Sequence, residues 1–187
     1  MEKKKLRCLA AAALFCVLIF VVTAYMPRIP IAGGAGGYIH FGDAIIYLAA
    51  SLLPLPYAVS AGAVGAVLAD SLTGYLPWAL GSLIIKAATA AVFSNKSEKI
   101  ITKRNIVACA AAVLICAGGY FLYEWLIVYR LFLPENAGEA SAVIVAANAI
   151  VSNLVQGIAS VIIYLAAGFA LDKIKFKRFV VGKTEEK

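Results

Sequence analysis

"KKKLRCLAAAALFCVLIFVVTAYMPRIP", residues 3–30, decides what kind of molecule this is. Lys3, Lys4, Lys5 and Arg7 open it, and no charge follows until Arg28. The apolar run from Cys8 is about 20 residues, which as a helix at about 1.5 Å per residue matches the hydrocarbon core of a bilayer. Pro27 and Pro30 then end any helix. The run exceeds the apolar stretch of a secretory leader, and no small-residue cleavage site follows it. It is expected to be a retained first membrane span, residues 6–26.

The rest of the chain agrees with its start. Of 187 residues, 63% are hydrophobic and 14% charged, with a mean hydropathy of +0.91. Soluble domains average about 25% charged residues. The composition therefore specifies a polytopic membrane protein embedded in a lipid bilayer. The net charge of +7 could suggest nucleic acid, but the positions of the basic residues argue for no nucleic-acid partner. Lys96, Lys99, Lys103 and Arg104 lie between two later apolar runs, and Lys173, Lys175, Lys177 and Arg178 follow the last. Such clusters beside spans mark the cytoplasmic face. Cys8, Cys16, Cys109 and Cys116 sit in or beside apolar runs without metal-ligand spacing, so neither a disulfide nor a metal site is expected.

Five more spans are predicted, at residues 39–54, 57–72, 77–93, 106–129 and 142–171. Pro54 and Pro56 mark the turn after the second, and Pro77 suits the start of the fourth. The second and third are short and are expected within the bundle or with little tilt. The reading is all-α: a six-transmembrane-helix bundle in a single integral membrane domain, residues 1–187, with both termini cytoplasmic. Six spans and three basic clusters give one consistent orientation. It places "PRIPIAGGAGGYIH" (27–40), "TGYLPW" (73–78) and "RLFLPENAGEAS" (130–141) together outside.

An ionisable residue at membrane depth costs a few kcal/mol and points to function. Asp43, Asp70, Lys86 and Glu124 are of this kind. Asp43 also suits capping its own helix. Lys86 lies about 14 Å below the outer end of span four at 1.5 Å per residue, yet close enough to the basic loop to snorkel. Trp78, Ser82 and Lys86 recur every four residues on one helix face, as do Tyr120 and Glu124 on span five and Asn148, Ser152, Gln156 and Ser160 on span six. Such stripes line a pocket or act as interhelical hydrogen-bond glue. Lys86 and Glu124 could also pair with each other.

Catalytic and nucleotide motifs fail their spacing. "VGKT" (181–184) ends like a phosphate-binding loop, but Lys177 stands where the first glycine is required. "AGGAGG" (32–37) is not a dinucleotide fingerprint. No zinc-protease motif, paired carboxylates or Ser–His arrangement is present, so no enzyme is predicted and no cofactor is called for.

"GYIHFGDAIIYLAASLL" (37–53), "AGAVGAVLADSLTGY" (61–75), "PWALGSLIIKA" (77–87) and "NLVQG" (153–157), in that order, resemble the substrate-binding S component of energy-coupling factor (ECF) vitamin transporters. The resemblance covers about residues 6–171. It implies a six-helix bundle that captures a small vitamin or precursor from outside, in a bacterial or archaeal cell membrane, for ATP-driven uptake. A transmembrane coupling protein and two ABC ATPases would be its partners. It further implies a gating loop, Gly36, Gly37, Tyr38, Ile39 and His40, in which glycines allow close approach to the ligand. Docking on the coupling protein through small residues of span one would fall on Cys8, Ala12 and Cys16, where the family often has an Ala-x-x-x-Ala patch. The candidate ligand residues are Tyr38, His40, Asp43, Tyr75, Trp78, Ser82, Lys86, Tyr120, Glu124, Asn148, Ser152 and Gln156. They suit an aromatic, hydrogen-bonding vitamin such as pyridoxine, riboflavin or a thiamine precursor, and Lys86 also suits the carboxylate of pantothenate.

Two other readings remain at this level. An autonomous secondary transporter could use Glu124 for proton coupling, although no inverted repeat is evident. A membrane-embedded enzyme would need a nucleophile, metal site or carboxylate pair that the sequence does not offer.

Overall fold

The computed structural model describes residues 2–26, 29–30, 38–132 and 138–182. The described residues are mostly helical: α1 Glu2–Tyr25, α2 Gly42–Leu52, α3 Leu55–Leu72, α4 Ala79–Ala91, α5 Lys103–Tyr123, α6 Tyr129–Phe132, α7 Gly138–Lys173 and α8 Phe176–Val181. A 3-10 turn, Leu76–Trp78, leads into α4, and a π-helical segment, Glu124–Val128, joins α5 to α6 in one continuous rod. The strands among the described residues are β1, Ile29–Pro30, and β2, Tyr38–Ile39, paired antiparallel with Ile29 opposite Ile39.

Local chemistry sets the boundaries. Leu53 is extended because Pro54 follows it, and Pro54 and Pro56 then start α3. Gly74 takes φ 88°, the left-handed turn that carries the chain from α3 back into the bundle. Thr102 caps α5 by accepting from the Asn105 N–H at 3.1 Å.

Among the described residues, four segments are long and apolar enough to cross a bilayer: Glu2–Tyr25, Leu55–Leu72, Lys103–Leu131 and Ala149–Lys173. Two apolar helices are shorter, Gly42–Leu52 and Leu76–Ala91. At about 1.5 Å per residue α2 is roughly half the hydrocarbon thickness. It sits within the bundle, as its length suggested: ten of its eleven residues are buried, packed by α1, α3, α4, α7 and α8. Backbone at membrane depth need not be in one long helix where protein shields it from lipid.

Three boundaries differ from expectation. Tyr38 and Ile39 are extended rather than helical, so α2 starts at Gly42. The last long helix begins at Gly138, four residues early, and runs 36 residues. A short α8 follows it, beyond the end of the last predicted span.

Packing is close because one face of α3 is small. Ala58, Ala61, Gly62, Gly65, Ala66 and Ala69 are buried between α1 and α4. A Cβ at Gly65 would stand 2.7 Å from the Cys16 carbonyl of α1. Tyr47, Phe93 and Tyr164 form an aromatic centre, with Tyr47 and Phe93 stacked at 5.0 Å. Leu14, Val17, Leu114, Val151 and Ile162 are exposed on the outer surface, the pattern of helices solvated by lipid.

Candidate ligand site

From α1 to α7, with α5 and α6 counted as one rod, successive helices alternate in direction. The starts of α2 and α4, the end of α5 and the first half of α7 therefore meet at the end of the bundle that carries β1 and β2. Two polar layers lie there.

The deeper layer is an ion pair. Asp43, in the first turn of α2, and Lys86, in the middle of α4, meet at 2.6 Å with exposures of 0% and 1%. An isolated charge at this depth would be untenable, and each has further partners. Gln156 Nε2 of α7 donates to Asp43 Oδ2 at 2.9 Å. Lys86 Nζ lies 3.5 Å from Cys116 Sγ of α5 and 5.0 Å from the centre of the Tyr120 ring. Thr89 Oγ1, one turn along α4, reaches the same sulfur at 3.4 Å. The layer also holds the loop: His40 N–H donates to Gln156 Oε1 at 3.2 Å, and Gly42 N–H to His40 Nδ1 at 3.1 Å. One glutamine thus ties the segment after β2 to the ion pair.

The outer layer is aromatic. Trp78 Nε1 donates to Glu124 Oε1 at 3.0 Å. Glu124 is buried, and its other oxygen, Oε2, has no hydrogen-bond partner among the described residues. Tyr75 packs edge-on against Trp78 at 5.8 Å, and Phe121 stacks on Trp125 at 5.9 Å. Tyr123 OH donates to the Pro77 carbonyl at 2.7 Å, fixing the 3-10 turn to α5. Glu124 opens the π segment, whose Tyr129 N–H returns to the Glu124 carbonyl five residues back. Single π turns of this kind cluster at functional sites. Ser82 and Tyr120 share a 2.7 Å hydrogen bond between the two layers.

The structure brings His40, Asp43, Lys86 and Gln156 into one network, and Tyr75, Trp78 and Glu124 into another. It corrects three options left open by the sequence. Asp43 does not cap α2: the helix has no side-chain cap, and the carboxylate is committed to Lys86. Lys86 does not snorkel, because its ammonium finds an anion at its own depth. Lys86 and Glu124 do not pair, since each has a different partner. Ser152 is buried on α7 without reaching the ion pair through a hydrogen bond. Asn148 lies on α7, but its side chain is outside the described residues, as are the side chains of Tyr38 and Ile39. Gly36 and Gly37 also lie outside them. The Cys8, Ala12 and Cys16 stripe turns inward: Cys8 and Ala12 are buried in the main core, and Cys16 packs on α3. A helix docking on α1 would instead meet its opposite face, with Ala10, Ala13, Leu14 and Val17.

Sequence reasoning missed Thr89 and Cys116. Thr89 is three residues beyond Lys86, on the Trp78–Ser82–Lys86 face, and Cys116 is four before Tyr120. Continuing each stripe by one turn would have found both. It also missed a second polar cluster at the other end. Asn105 Nδ2 donates to the Ser94 and Ile100 carbonyls at 2.9 and 3.0 Å and lies 3.2 Å from Ser51 Oγ. Ser51 Oγ and Tyr164 OH share a 2.8 Å bond. Lys177 Nζ of α8 donates to the Ser51 and Asn95 carbonyls, both at 2.7 Å. Asp172 accepts from the Ile100 and Ile101 N–H groups. Burial holds the Lys177 ammonium below its ordinary value of 10.5, at about 8.

The sequence matches the family described as "ECF-type riboflavin transporter, S component" over residues 3–173. The chain belongs to that family. It is therefore a membrane-spanning, substrate-binding component of a transporter and not an enzyme. A curated protein of Pyrococcus woesei, described as an uncharacterized protein in the gap 3′ region, is 29% identical over 153 residues, covering 81% of this chain and 93% of its own.

Proposed function

We propose that this subunit captures a planar heteroaromatic vitamin at the β1–β2 end of the bundle, with riboflavin the first candidate from the family's description. The observation that carries the reading is Glu124. A buried carboxylate with one oxygen fixed by Trp78 and the other unpartnered, set among Tyr75, Trp78, Phe121 and Trp125, offers an acceptor beside aromatic faces. A ring N–H or a ribityl hydroxyl satisfies that acceptor, and the rings supply stacking. The Asp43–Lys86 pair is neutralised within the chain and acts as the floor. The His40–Gln156 bond anchors the loop that closes over the ligand.

In this reading the basic clusters are cytoplasmic, six helical segments traverse the bilayer, and the ligand enters from outside across a bacterial or archaeal cell membrane. Transport then requires a coupling protein and two ABC ATPases, because the chain has no nucleotide motif of its own. The test is flavin fluorescence quenching and calorimetry on the purified chain, with pyridoxine, thiamine and pantothenate as competitors. Saturable one-to-one binding of riboflavin, resisted by those three, supports the proposal. Absence of riboflavin binding by folded, monodisperse protein overturns the ligand assignment. Vitamin uptake into vesicles containing this chain alone would overturn the dependence on partners.

A further inference from the structure

At the opposite end, α4 and α5 leave an open groove of about 470 Å³ lined by Val92, Lys103, Arg104, Val107, Ala108 and Ala111. The lining is divided. Two cations sit at the first turn of α5, and apolar side chains follow down the next two turns. Arg104 Nη1 donates to the Val92 carbonyl at 3.2 Å, which holds the guanidinium at the mouth, and its other N–H groups have no hydrogen-bond partner among the described residues. Lys103 is exposed at the same mouth. No acid lines the groove. Glu98, in the neighbouring loop, is engaged by Arg178 at 2.9 Å, and Asp172 accepts from two backbone N–H groups.

Basic residues in the first turn oppose the helix dipole, so local helix energetics do not account for Lys103 and Arg104. An anion would offset that penalty. The apolar floor, with Val107 71% exposed, requires an apolar cover. We propose that the groove is a binding site for an anionic phospholipid: the phosphate meets Lys103 and Arg104 while an acyl chain lies along Val92, Val107, Ala108 and Ala111. Charge complementarity selects an anionic headgroup, and basic pockets between spans recognise such headgroups elsewhere. The proposal does not depend on which vitamin the other end binds.

The experiment uses the full chain, delipidated in a neutral detergent. Native mass spectrometry then follows titration with phosphatidylglycerol, with phosphatidylcholine of the same acyl chains, and with inorganic phosphate. One phosphatidylglycerol is expected to bind in preference to phosphatidylcholine by about tenfold. Lys103→Gln, which breaks no hydrogen bond or ion pair among the described residues, should reduce that preference by about fivefold, the order expected for one surface cation. Lys103→Gln with Arg104→Gln should abolish it. Ala111→Phe should displace the lipid without changing charge. Lys3→Gln with Lys4→Gln, two exposed cations on α1, should leave the preference intact. Equal loss in that control would make the effect diffuse electrostatics and overturn the site. Full competition by inorganic phosphate, or retained preference in Lys103→Gln and in Ala111→Phe, would overturn the lipid assignment.

Discussion

The two ends of the bundle both bury polar side chains, and they use them in opposite ways. At the α8 end, the hydrogen bonds of Ser51, Asn105, Tyr164, Asp172 and Lys177 run largely to loop carbonyls and N–H groups. Those partners are backbone groups of the segment between α4 and α5 and of the end of α2. Backbone groups turned in against helices have no water to satisfy them, so the side chains do so instead. This end is a clasp. At the β1–β2 end, Asp43, Lys86, Gln156 and Glu124 bond side chain to side chain across four helices, and Glu124 Oε2 has no hydrogen-bond partner among the described residues. Polar groups that complete one another stabilise a shape. A buried group left incomplete offers a place for something else.

The sharpest way to break the comparison is to remove one charge of the ion pair. Lys86→Met leaves Asp43 buried without its partner and should cost about 3–5 kcal/mol of stability. Thermal unfolding in detergent measures it. Asp43→Asn combined with Lys86→Met should recover most of that loss. If Lys86→Met is as stable as wild type and only ligand affinity falls, the ion pair is part of the pocket rather than its floor.

Asn105→Ala strikes the clasp. It unpairs the Ser94 N–H and two carbonyls, and each buried group left unsatisfied costs about 1–3 kcal/mol. The unfolding midpoint should fall while ligand affinity in the surviving folded protein stays at the wild-type value. A matching loss of affinity would show that the two ends are coupled.

Glu124→Gln is the converse. It keeps an acceptor for Trp78 and the side-chain shape but replaces the open carboxylate oxygen with an amide. Calorimetry should show riboflavin binding weakened by about tenfold, equivalent to about 1.4 kcal/mol, with the unfolding midpoint little changed. A large drop in stability with unchanged affinity would place Glu124 in the scaffold.

The last test is a pH dependence, carried by Lys177. Its folded-state value is about 8 against an ordinary 10.5. Below pH 8 both folded and unfolded chains carry the proton, and its burial weakens the fold. Between those values the folded chain has released the proton while the unfolded chain keeps it, so stability rises with pH. The neutral amine still has two hydrogens for the Ser51 and Asn95 carbonyls. The unfolding midpoint should be higher at about pH 10 than at about pH 7.5, and Lys177→Gln should remove that rise.

Much of the architecture was legible in the chain because lipid imposes simple rules. A run such as residues 6–26 must be helical in a bilayer, prolines at 54 and 56 must break the chain between the second and third runs, and basic clusters mark one face. Helix faces were legible for the same reason. The four-residue spacing that placed Trp78, Ser82 and Lys86 together is borne out by their contacts with Glu124, Tyr120 and Asp43. Extended backbone at Tyr38 and Ile39 was not legible, because pairing with β1 overrides the helical preference of the run that follows.

What the sequence alone determined is membrane residence, the number and approximate extent of the apolar segments, and the face each polar residue occupies. These follow from length, periodicity and proline, all local properties of the chain. The partner of each polar residue was decided only by tertiary structure. Lys86 could equally have met Glu124, water at the interface, or Asp43, and nothing within span four distinguishes them. The choice depended on α2 lying inside the bundle, which brings Asp43 level with Lys86 and leaves Glu124, one layer out, to Trp78.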